Sequence, residues 1–471
     1  MRILTVAFFD DNYGDMLIRT CFLQLTKVVL KNLGVEEYTL DVMPLKAPDD
    51  SQIAAADMIV FPGGAMFGIN YLGVAAYIER VLDIADAKGT PVVFGSLGFN
   101  HMENAEEHDD RLHQILSRRS IRAVSVRDSE DIFRHYAGEQ AYEIQPVCDP
   151  AVWIEAVYAH DIEKAYAKKR EAHTPVIGIN VVRGGLFKDN GVDWTLTKEE
   201  EYLAAFAKML DDRGLEYRFF TNGSTWDINT LKHFLNKYKI DREKVIFSET
   251  SREVVQAIAG FDAVIAIRMH ASIISYGLGV PSINYVWNPK IPELYKKIGY
   301  PDRAVSPQDW SAELAAEKLE ELLKEENYYP DPELLMTLYR FLYETFGAIL
   351  APADKADMYG YEMVRDTLRE MSVPAAEDET DMRTKLQRAQ NRYYALFQSD
   401  DRKKGEIRSL QKENGRLSKQ LNEEREKRKK AEKERDTAKK ERDAAKKELE
   451  RLQQKLIFRA YKKMIGDTRK S

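Results

Sequence analysis

The residues with the clearest chemical potential lie in the second half of the chain, after a short apolar segment. Arg268 and His270 stand two positions apart behind Ala263–Ala266, and Lys290 follows downstream. Histidine can transfer a proton near neutral pH, and arginine or lysine beside it can hold an anion. We therefore predict a site for an anionic ligand here, with His270 as the proton-transferring group. The alternative is a histidine that serves only the structure at the end of a strand.

Arg127 occupies a comparable position in the first half of the chain. It follows the predicted strand Ala123–Val126 directly, where its guanidinium could bind a carboxylate or a phosphate through two parallel hydrogen bonds. The alternative is a local ion pair with Asp128. The preceding predicted strand ends in a glycine loop, Gly95–Gly98, which should lie on the same edge of the sheet.

Turn-forming residues follow two other predicted strands of the first half. Asn12, Gly14 and Asp15 come after the first strand and before a helix, and Gly63 and Gly64 end the second strand. A turn of this kind presents backbone N–H groups to a polar ligand, and glycine allows a ligand to approach the backbone closely. We predict that these loops line the ligand-binding edge, although a tight turn alone also favours these residue types.

The elements that must position these residues alternate between short β-type runs and helix-length amphipathic segments over residues 1–305. This alternation predicts an α/β fold, and the continuous apolar runs suit parallel strands that are covered on both faces. Helices are predicted at Met16–Leu33 and Glu199–Arg213, among others. The predicted strands are Ile3–Phe9, Met58–Phe61, Pro91–Gly95, Ala123–Val126, Val176–Val181, Glu216–Phe220, Lys244–Phe247, Ala263–Ala266 and Ser282–Tyr285.

The sequence predicts two Rossmann-like domains, at residues 1–173 and 174–371. The boundary precedes a Val/Ile-rich strand that begins at Val176. The second domain ends in an all-helical extension, and a linker rich in proline, alanine and glutamate follows at 372–385. Two such domains that face one another form a cleft, and ligands of open α/β sheets bind beyond the carboxyl ends of the strands.

A long C-terminal coiled coil is predicted over residues 386–456, where apolar residues recur in a heptad pattern with charged flanks. Asn414 falls at an a position, which favours a two-stranded pair in register, so we predict a homodimer. Between residues 422 and 448 the a and d positions are mostly arginine and alanine. A solitary helix stabilised by Glu/Lys pairs is therefore the alternative.

The remaining residues, 457–471, form a basic amphipathic tail that could lie on an anionic membrane surface. The alternative is a frayed helix end whose basic residues complement the helix C-terminus. The sequence shows neither a signal-peptide pattern nor an apolar run of about 20 residues. We therefore expect a cytoplasmic protein, which the tail could bring to the inner face of the membrane.

Charge and cysteine content exclude several classes of protein. The chain has 70 Lys and Arg against 77 Asp and Glu, a net charge of −7, which argues against a nucleic-acid binder. Its two cysteines, Cys21 and Cys148, cannot form a disulfide framework, and both stand in apolar surroundings. No cluster of cysteine and histidine has the spacing of a metal site, so we expect no metal.

Eight short motifs, taken in order, resemble the polysaccharide pyruvyl transferase family. The resemblance covers about residues 1–300, and Ala65 stands where many members have a third glycine. The motifs are Asn12-x-Gly14-Asp15, Gly63-Gly64, Arg127-Asp128-Ser129, Asp149-Pro150, Ile177-Gly178-Ile179-Asn180, Arg268-x-His270, Gly279-x-Pro281 and Tyr285…Lys290.

The resemblance implies two Rossmann-like domains in a GT-B-like arrangement and a defined activity. The enolpyruvyl group of phosphoenolpyruvate would be transferred to a sugar of a cell-surface polysaccharide or its precursor, giving a pyruvate ketal and phosphate. Arg127 and Arg268 would bind the carboxylate and phosphate of this donor, with Lys290 on the phosphate side. His270 would act as general acid or base, in a direction that remains open. No cofactor is expected.

The position of Asn12–Asp15 and Gly63-Gly64 at the sheet edge would make these loops face the acceptor from the first domain. Two other functions remain as alternatives. One is a glycosyltransferase of the same two-domain form that uses a nucleotide sugar. The other is a scaffold, in which the coiled coil organises a complex for glycan assembly.

Overall fold

The structure, a computed structural model, describes residues 1–9, 12–68, 71–100, 109–171, 174–306, 309–325, 328–351 and 356–372. The predicted coiled coil at 386–456 and the predicted tail at 457–471 lie outside the described residues, as does the predicted linker beyond Ser372.

Parallel strands of the first half of the chain build one sheet. Its spatial order is β2-β1-β3-β5-β6-β7, and β4 pairs beside β5. The register places Leu4 opposite Asp41 on one side and Ile59 on the other. The strands are β1 (Arg2–Ala7), β2 (Thr39–Pro44), β3 (Met58–Phe61), β4 (Gly64–Gly68), β5 (Val92–Asn100), β6 (Ile121–Val126) and β7 (Ile144–Pro146).

The second half of the chain builds a second parallel sheet, in the order β12-β11-β10-β8-β9. Its central strand β10 has Val264 opposite Gly178 on one side and Ser282 on the other. The strands are β8 (Val176–Asn180), β9 (Glu216–Phe220), β10 (Ala263–Ala266), β11 (Ser282–Tyr285) and β12 (Ala304–Val305). The mixed α/β class with parallel sheets, as predicted, is therefore confirmed.

Helices connect the strands, and short 3-10 turns lie at Pro150–Trp153, Arg242–Lys244 and Pro301–Arg303. The helices are α1 (Tyr13–Asn32), α2 (Asp50–Ala55), α3 (Tyr71–Lys88), α4 (Asp109–Leu116), α5 (Glu130–Ala137), α6 (Ile154–Val157), α7 (Ala159–Glu171), α8 (Leu186–Asp189), α9 (Leu196–Asp212), α10 (Thr225–Tyr238), α11 (Ser251–Ala259), α12 (Met269–Gly277), α13 (Lys290–Lys297), α14 (Ala312–Leu322), α15 (Pro332–Leu350) and α16 (Tyr361–Glu370).

Two predicted segments differ from the structure. Lys244–Phe247 is not a strand: the segment begins within a 3-10 turn capped by Asp241, and only Val245 bridges to Phe219 on the edge strand β9. The Gly95–Gly98 segment is not a loop, because β5 continues through it to Asn100. Glycine is required inside this strand because a Cβ at Gly95 would lie 2.4 Å from the Phe22 ring.

The largest apolar core draws on both halves of the chain. It contains Leu17 of α1, Trp153, Ile274 of α12 and Leu338 of α15, all buried. The chain thus returns after the second sheet to pack α15 against α1. Residues Met1–Leu386 form one compact unit, and the predicted domain limits within it stay predictions.

Hydrogen bonds fix this return of the chain. The Tyr339 hydroxyl donates to Oδ1 of Asn32 over 2.6 Å, and the backbone N–H of Cys148 donates to the Thr337 hydroxyl over 2.9 Å. Cys21 and Cys148 are both buried and unpaired with each other. None of the helices within the described residues combines the length and apolar character needed to span a membrane.

Candidate active site

His270 lies in the first turn of α12, directly beyond the end of β10. The side chain is packed against the first half of the chain, because a Cβ at Gly14 would lie only 2.5 Å from Nδ1 of His270. Glycine at position 14 therefore allows the tip of α1 to lie against the imidazole ring. His270 as a whole is 9 % exposed, so the contact of α1 with α12 largely encloses the ring.

Arg127 is brought to the same point from the end of β6. Its Nη1 lies 3.4 Å from Nε2 of His270 and donates to Oδ2 of Asp149. Its Nε donates to Oδ2 of Asp128 over 3.2 Å. The guanidinium lies on Gly98, where a Cβ would be 2.8 Å from Nε. Arg127 therefore makes the ion pair with Asp128 that was the alternative, and it also adjoins His270. Anion binding by its guanidinium stays a prediction.

Burial and ion pairing act against each other at Arg127. Burial alone would lower the pKa of its guanidinium, but the carboxylates of Asp149 and Asp128 raise the pKa above its ordinary value. Asp149 is itself fixed, since its Oδ1 accepts from the Ala151 N–H over 2.8 Å. The arginine is therefore a permanent cation in a fixed orientation.

Arg268 is held from three sides. Its Nε and Nη2 donate to the two oxygens of Asp227 over 2.9 and 2.6 Å, a bidentate pair with a fully buried carboxylate. Its backbone N–H donates to Oδ1 of Asn180 over 2.9 Å, and its carbonyl accepts from Nδ2 of Asn284 over 3.3 Å. This network fixes the start of α12 and hence the position of His270.

Lys290 begins α13 and is buried, with its backbone N–H donating to Oδ1 of Asn288. Burial lowers its pKa to about 8, and the positive charges of Arg127 and Arg268 act in the same direction, whereas Asp128 and Asp15 oppose them. The charges that act on Lys290 thus come from both halves of the chain. Lys290 therefore belongs to the same cluster as Arg127 and Arg268.

His270 is neutral at physiological pH. Burial lowers its pKa to about 3, and the cations Arg127, Lys290 and Arg268 add to the effect. Asp149, whose Oδ2 lies 3.8 Å from Nε2, partly opposes them. A neutral imidazole can accept a proton, and an added anion at the cluster would raise the pKa of His270.

The predicted acceptor-side residues form the other part of the surroundings. Asn12 caps α1: its Oδ1 accepts from the Gly14 N–H over 3.1 Å, and its Nδ2 donates to Asp15 over 2.9 Å. Asp15 also acts electrostatically on Arg127. Asn12 thus performs a structural function in addition to its predicted position at the edge.

Gly63 lies in the turn between β3 and β4, and Gly64 begins β4; both have a positive φ, of 109° and 102°. A Cβ at Gly63 would lie 2.5 Å from the Ser96 carbonyl oxygen, so protein backbone already occupies the space that this glycine leaves open. A Cβ at Gly64 would lie 3.8 Å from Oδ1 of Asp15. Gly63 therefore serves the packing of the turn, and Gly64 adjoins the α1 tip.

Three residues that orient the cluster had no role predicted from the sequence: Asp149, Asn180 and Asp227. Asp149 and Asn180 stand within the quoted motifs, and the signal for a role was their position, Asp149 shortly after β7 and Asn180 at the end of β8. Asp227 had no such signal, because it lies in the first turn of α10 like many helix-starting acids. Among the described residues, no three His, Cys, Asp or Glu side chains are grouped as a metal site requires.

A cavity of about 550 Å³ lies away from this cluster. It is lined by Gly277, Leu278 and Gly279, at the end of α12 opposite to His270, and by residues of α15 and α16 such as Leu335 and Arg369. None of the predicted site residues lines it.

Comparison with solved structures gives distant similarities in shape. UDP-GlcNAc 2-epimerase from Methanocaldococcus jannaschii is 11 % identical with a TM-score of 0.48, over 73 % of this chain and 98 % of that chain. ADP-heptose LPS heptosyltransferase II from E. coli is 13 % identical with a TM-score of 0.36, over 69 % and 98 %. The comparison with curated proteins gave no match.

The family comparison is decisive. The model of the family described as polysaccharide pyruvyl transferase matches residues 12–289, more than half of the chain. The matched range begins at the cap of α1 and ends just before Lys290, so it contains His270, Arg127 and Arg268. The chain therefore belongs to the polysaccharide pyruvyl transferase family and is a transferase enzyme.

Proposed function

We propose that the protein transfers the enolpyruvyl group of phosphoenolpyruvate to a sugar of a cell-surface polysaccharide or its precursor. The product is a pyruvate ketal, and phosphate is released. The observation that carries this proposal is the cluster of Arg127, Arg268 and Lys290 around a neutral, enclosed His270. Three cations suit a small donor that carries both a carboxylate and a phosphate.

The reaction requires two sugar hydroxyls and balances without a cofactor. The oxygen of each hydroxyl forms a bond to C2 of the donor, and the bond between C2 and the phosphate oxygen breaks. One proton passes to C3, which changes from a methylene to a methyl group, and the other leaves with the phosphate. The residues of the site must therefore move protons and stabilise the departing phosphate.

The neutral His270 suits the role of a general base. A neutral imidazole can take the proton from an attacking hydroxyl, which a protonated one cannot. The bound donor brings negative charge next to His270 and so raises the pKa of the resulting imidazolium. The imidazolium can then deliver its proton to C3 or to the departing phosphate oxygen, so one residue serves as base and then as acid.

The arginines bind the donor from fixed positions. Arg127 and Arg268 are oriented by Asp149 and Asp227 before any ligand arrives, which lowers the cost of ordering them on binding. Lys290 lies at the start of α13, where the helix N-terminus adds to its attraction for an anion. We assign the phosphate to the Lys290 side for this reason.

The test is phosphate release by the full-length protein from phosphoenolpyruvate in the presence of saccharide acceptors. The His270→Asn variant should lose roughly 10²- to 10⁴-fold in rate, as expected when a general acid-base group is removed. The matched control is His233→Asn, whose side chain is 65 % exposed on α10 and contacts Glu200. This control should keep the full rate. Phosphate release that does not depend on His270 in a folded variant would refute the assignment.

A further inference from the structure

One large apolar side chain at the carboxyl edge of the second sheet is open to solvent. Trp226, in the first turn of α10, is 62 % exposed. Residues 221–224 before it and Asp227 after it are buried. An indole that is exposed at the carboxyl edge of a parallel sheet, where ligands of such sheets bind, offers an apolar face to a ligand.

Hydrogen bonds and one close contact show which parts of the molecule lie next to the turn at residues 221–227, which carries Trp226. The Trp226 carbonyl accepts from the Thr230 hydroxyl over 3.1 Å, and that hydroxyl accepts from the Gly184 N–H, in the segment after β8, over 3.0 Å. At the other end of the turn, Gly223 lies against the Tyr13 ring of α1, since a Cβ there would be 2.1 Å from it. The turn therefore spans the carboxyl edge from β8 to the tip of α1.

The same turn is joined to the candidate active site. Asp227, the next residue, binds both donor nitrogens of Arg268, and the Tyr13 N–H donates to the carbonyl of Asn222 over 3.0 Å. Tyr13 is followed by Gly14, which lies against His270. The exposed indole thus stands on a turn with two connections to the site. Asp227 of this turn binds Arg268, and the turn also contacts the start of α1, which lies against His270.

We propose that Trp226 is the stacking surface for a sugar ring of the acceptor. This inference rests on the proposed function. A pyranose ring presents C–H groups on its faces and hydroxyls at its rim, so one face can pack on an indole while the hydroxyls stay solvated. The donor is small and highly charged and is bound by the cations, so the indole contributes to the acceptor and not to the donor.

The kinetic test separates the two substrates in the full-length enzyme. Trp226→Ala should raise the KM for the saccharide about tenfold and leave the KM for phosphoenolpyruvate unchanged. Trp226→Phe should retain part of the acceptor affinity, because an aromatic face remains. The matched control is Tyr329→Ala: Tyr329 is 72 % exposed and lines the cavity at the far end of α12. Neither KM should change in this control.

A binding experiment makes the inference independent of turnover. Titration of the ligand-free enzyme with the saccharide should change its tryptophan fluorescence, and Trp226→Phe should abolish that change. If no saccharide supports phosphate release by the unmodified enzyme, the proposed function fails. If phosphate release occurs and Trp226→Ala keeps the acceptor KM, only the stacking inference fails. A rise in both KM values would show that Trp226 acts through Asp227 and Arg268, which also overturns the inference.

Discussion

At the residue scale, the site is defined as much by its anions as by its cations. Asp149 and Asp128 bind Arg127, and Asp227 binds Arg268 through both oxygens. Removing one partner of a buried ion pair usually costs about 3–5 kcal/mol, because the other charge is left without compensation. These carboxylates are therefore part of the cluster, and substitution of any of them should disturb its cations.

The neutral state of His270 predicts a specific sensitivity to acid. Its pKa is about 3 in the folded protein and close to 6.5 when unfolded, so the unfolded chain binds an extra proton between these values. Stability should therefore fall as pH drops below 6.5. Relative to His270→Asn, the native protein should lose about 2–3 kcal/mol of unfolding free energy between pH 6.5 and 4.5. Urea unfolding at several pH values measures this.

Comparison of the native protein with His270→Asn isolates the contribution of His270 to the pH dependence, because the other titrating groups remain in both proteins. His233→Asn serves as the control, and its side chain is largely exposed. It should show the same acid sensitivity as the native protein. A difference between the native protein and His270→Asn that stays constant with pH would contradict the enclosed, neutral histidine.

At the element scale, the site depends on the tip of one helix that reaches across from the first half of the chain. The start of α1 contacts the second half at three points: the Tyr13 ring lies on Gly223, the Tyr13 N–H donates to Asn222, and Gly14 lies on His270. The contacts at Gly223 and Gly14 are close approaches that a larger residue would prevent.

Gly14→Ala should therefore displace the imidazole. The new Cβ would lie 2.5 Å from Nδ1 of His270, and misplacement of about 1 Å in a catalytic group can cost about 10²-fold in rate. The loss in stability should be smaller, about 1–3 kcal/mol, as for other overpacked sites. Phosphate release and thermal unfolding measure the two effects.

The control for Gly14→Ala is Gly360→Ala. Gly360 precedes α16, and a Cβ there meets no atom within 4 Å. Rate and stability should both stay near those of the native protein. A Gly14→Ala enzyme with full activity would mean that His270 does not need its present position.

Sequence patterns alone predicted the limits of strands that are buried on both faces. The strands at Met58–Phe61 and Ala263–Ala266 are entirely buried apolar runs, and their predicted limits agree with the structure. The strand at Thr39–Pro44 escaped prediction because it lies at the sheet edge and is only half-buried, so Asp41 and Pro44 interrupt its apolar pattern.

The sequence also indicated the cationic residues of the candidate site, but it did not show that the fold brings them together. Arg127 and His270 are 143 positions apart, and no local pattern predicts the 3.4 Å between their nitrogens. The glycines at 95 and 98 were interpreted as a loop, whereas they admit Phe22 and Arg127 to a continuous strand. These close contacts form only in the folded chain, so the residues next to a glycine in the sequence do not reveal them.

At the scale of the whole molecule, helices that follow the second sheet pack back against the first half of the chain. After the second sheet, α15 packs against α1, and Tyr339 donates to Asn32. Arg369 of α16 pairs with Glu155, in the segment that joins the two sheets. The unit from Met1 to Leu386 is therefore held together by both ends of its described sequence.

This organisation predicts that the enzyme can be separated from its predicted coiled coil. We expect the full chain to be a dimer and a chain that ends at Leu386 to be a monomer with the same rate per site on soluble saccharides. The physical reason is that the heptad pattern begins at Leu386, where the compact unit ends, and continues to residue 456. Light scattering coupled to size-exclusion chromatography, with phosphate release on the same fractions, measures both. A truncated chain that remains dimeric would place the dimer contact elsewhere.

The contact of Gly14 with His270 limits how such enzymes can be recombined. An exchange of the second half between two relatives near residue 174 would join a new histidine to an old helix tip, and a new α15 to an old α1. The parts of the site would then come from different parents, even though each sheet was inherited whole. A functional chimera should therefore take α1, α12 and α15 from the same parent. The residues that must be exchanged together are those of the shared core and not those of one sheet.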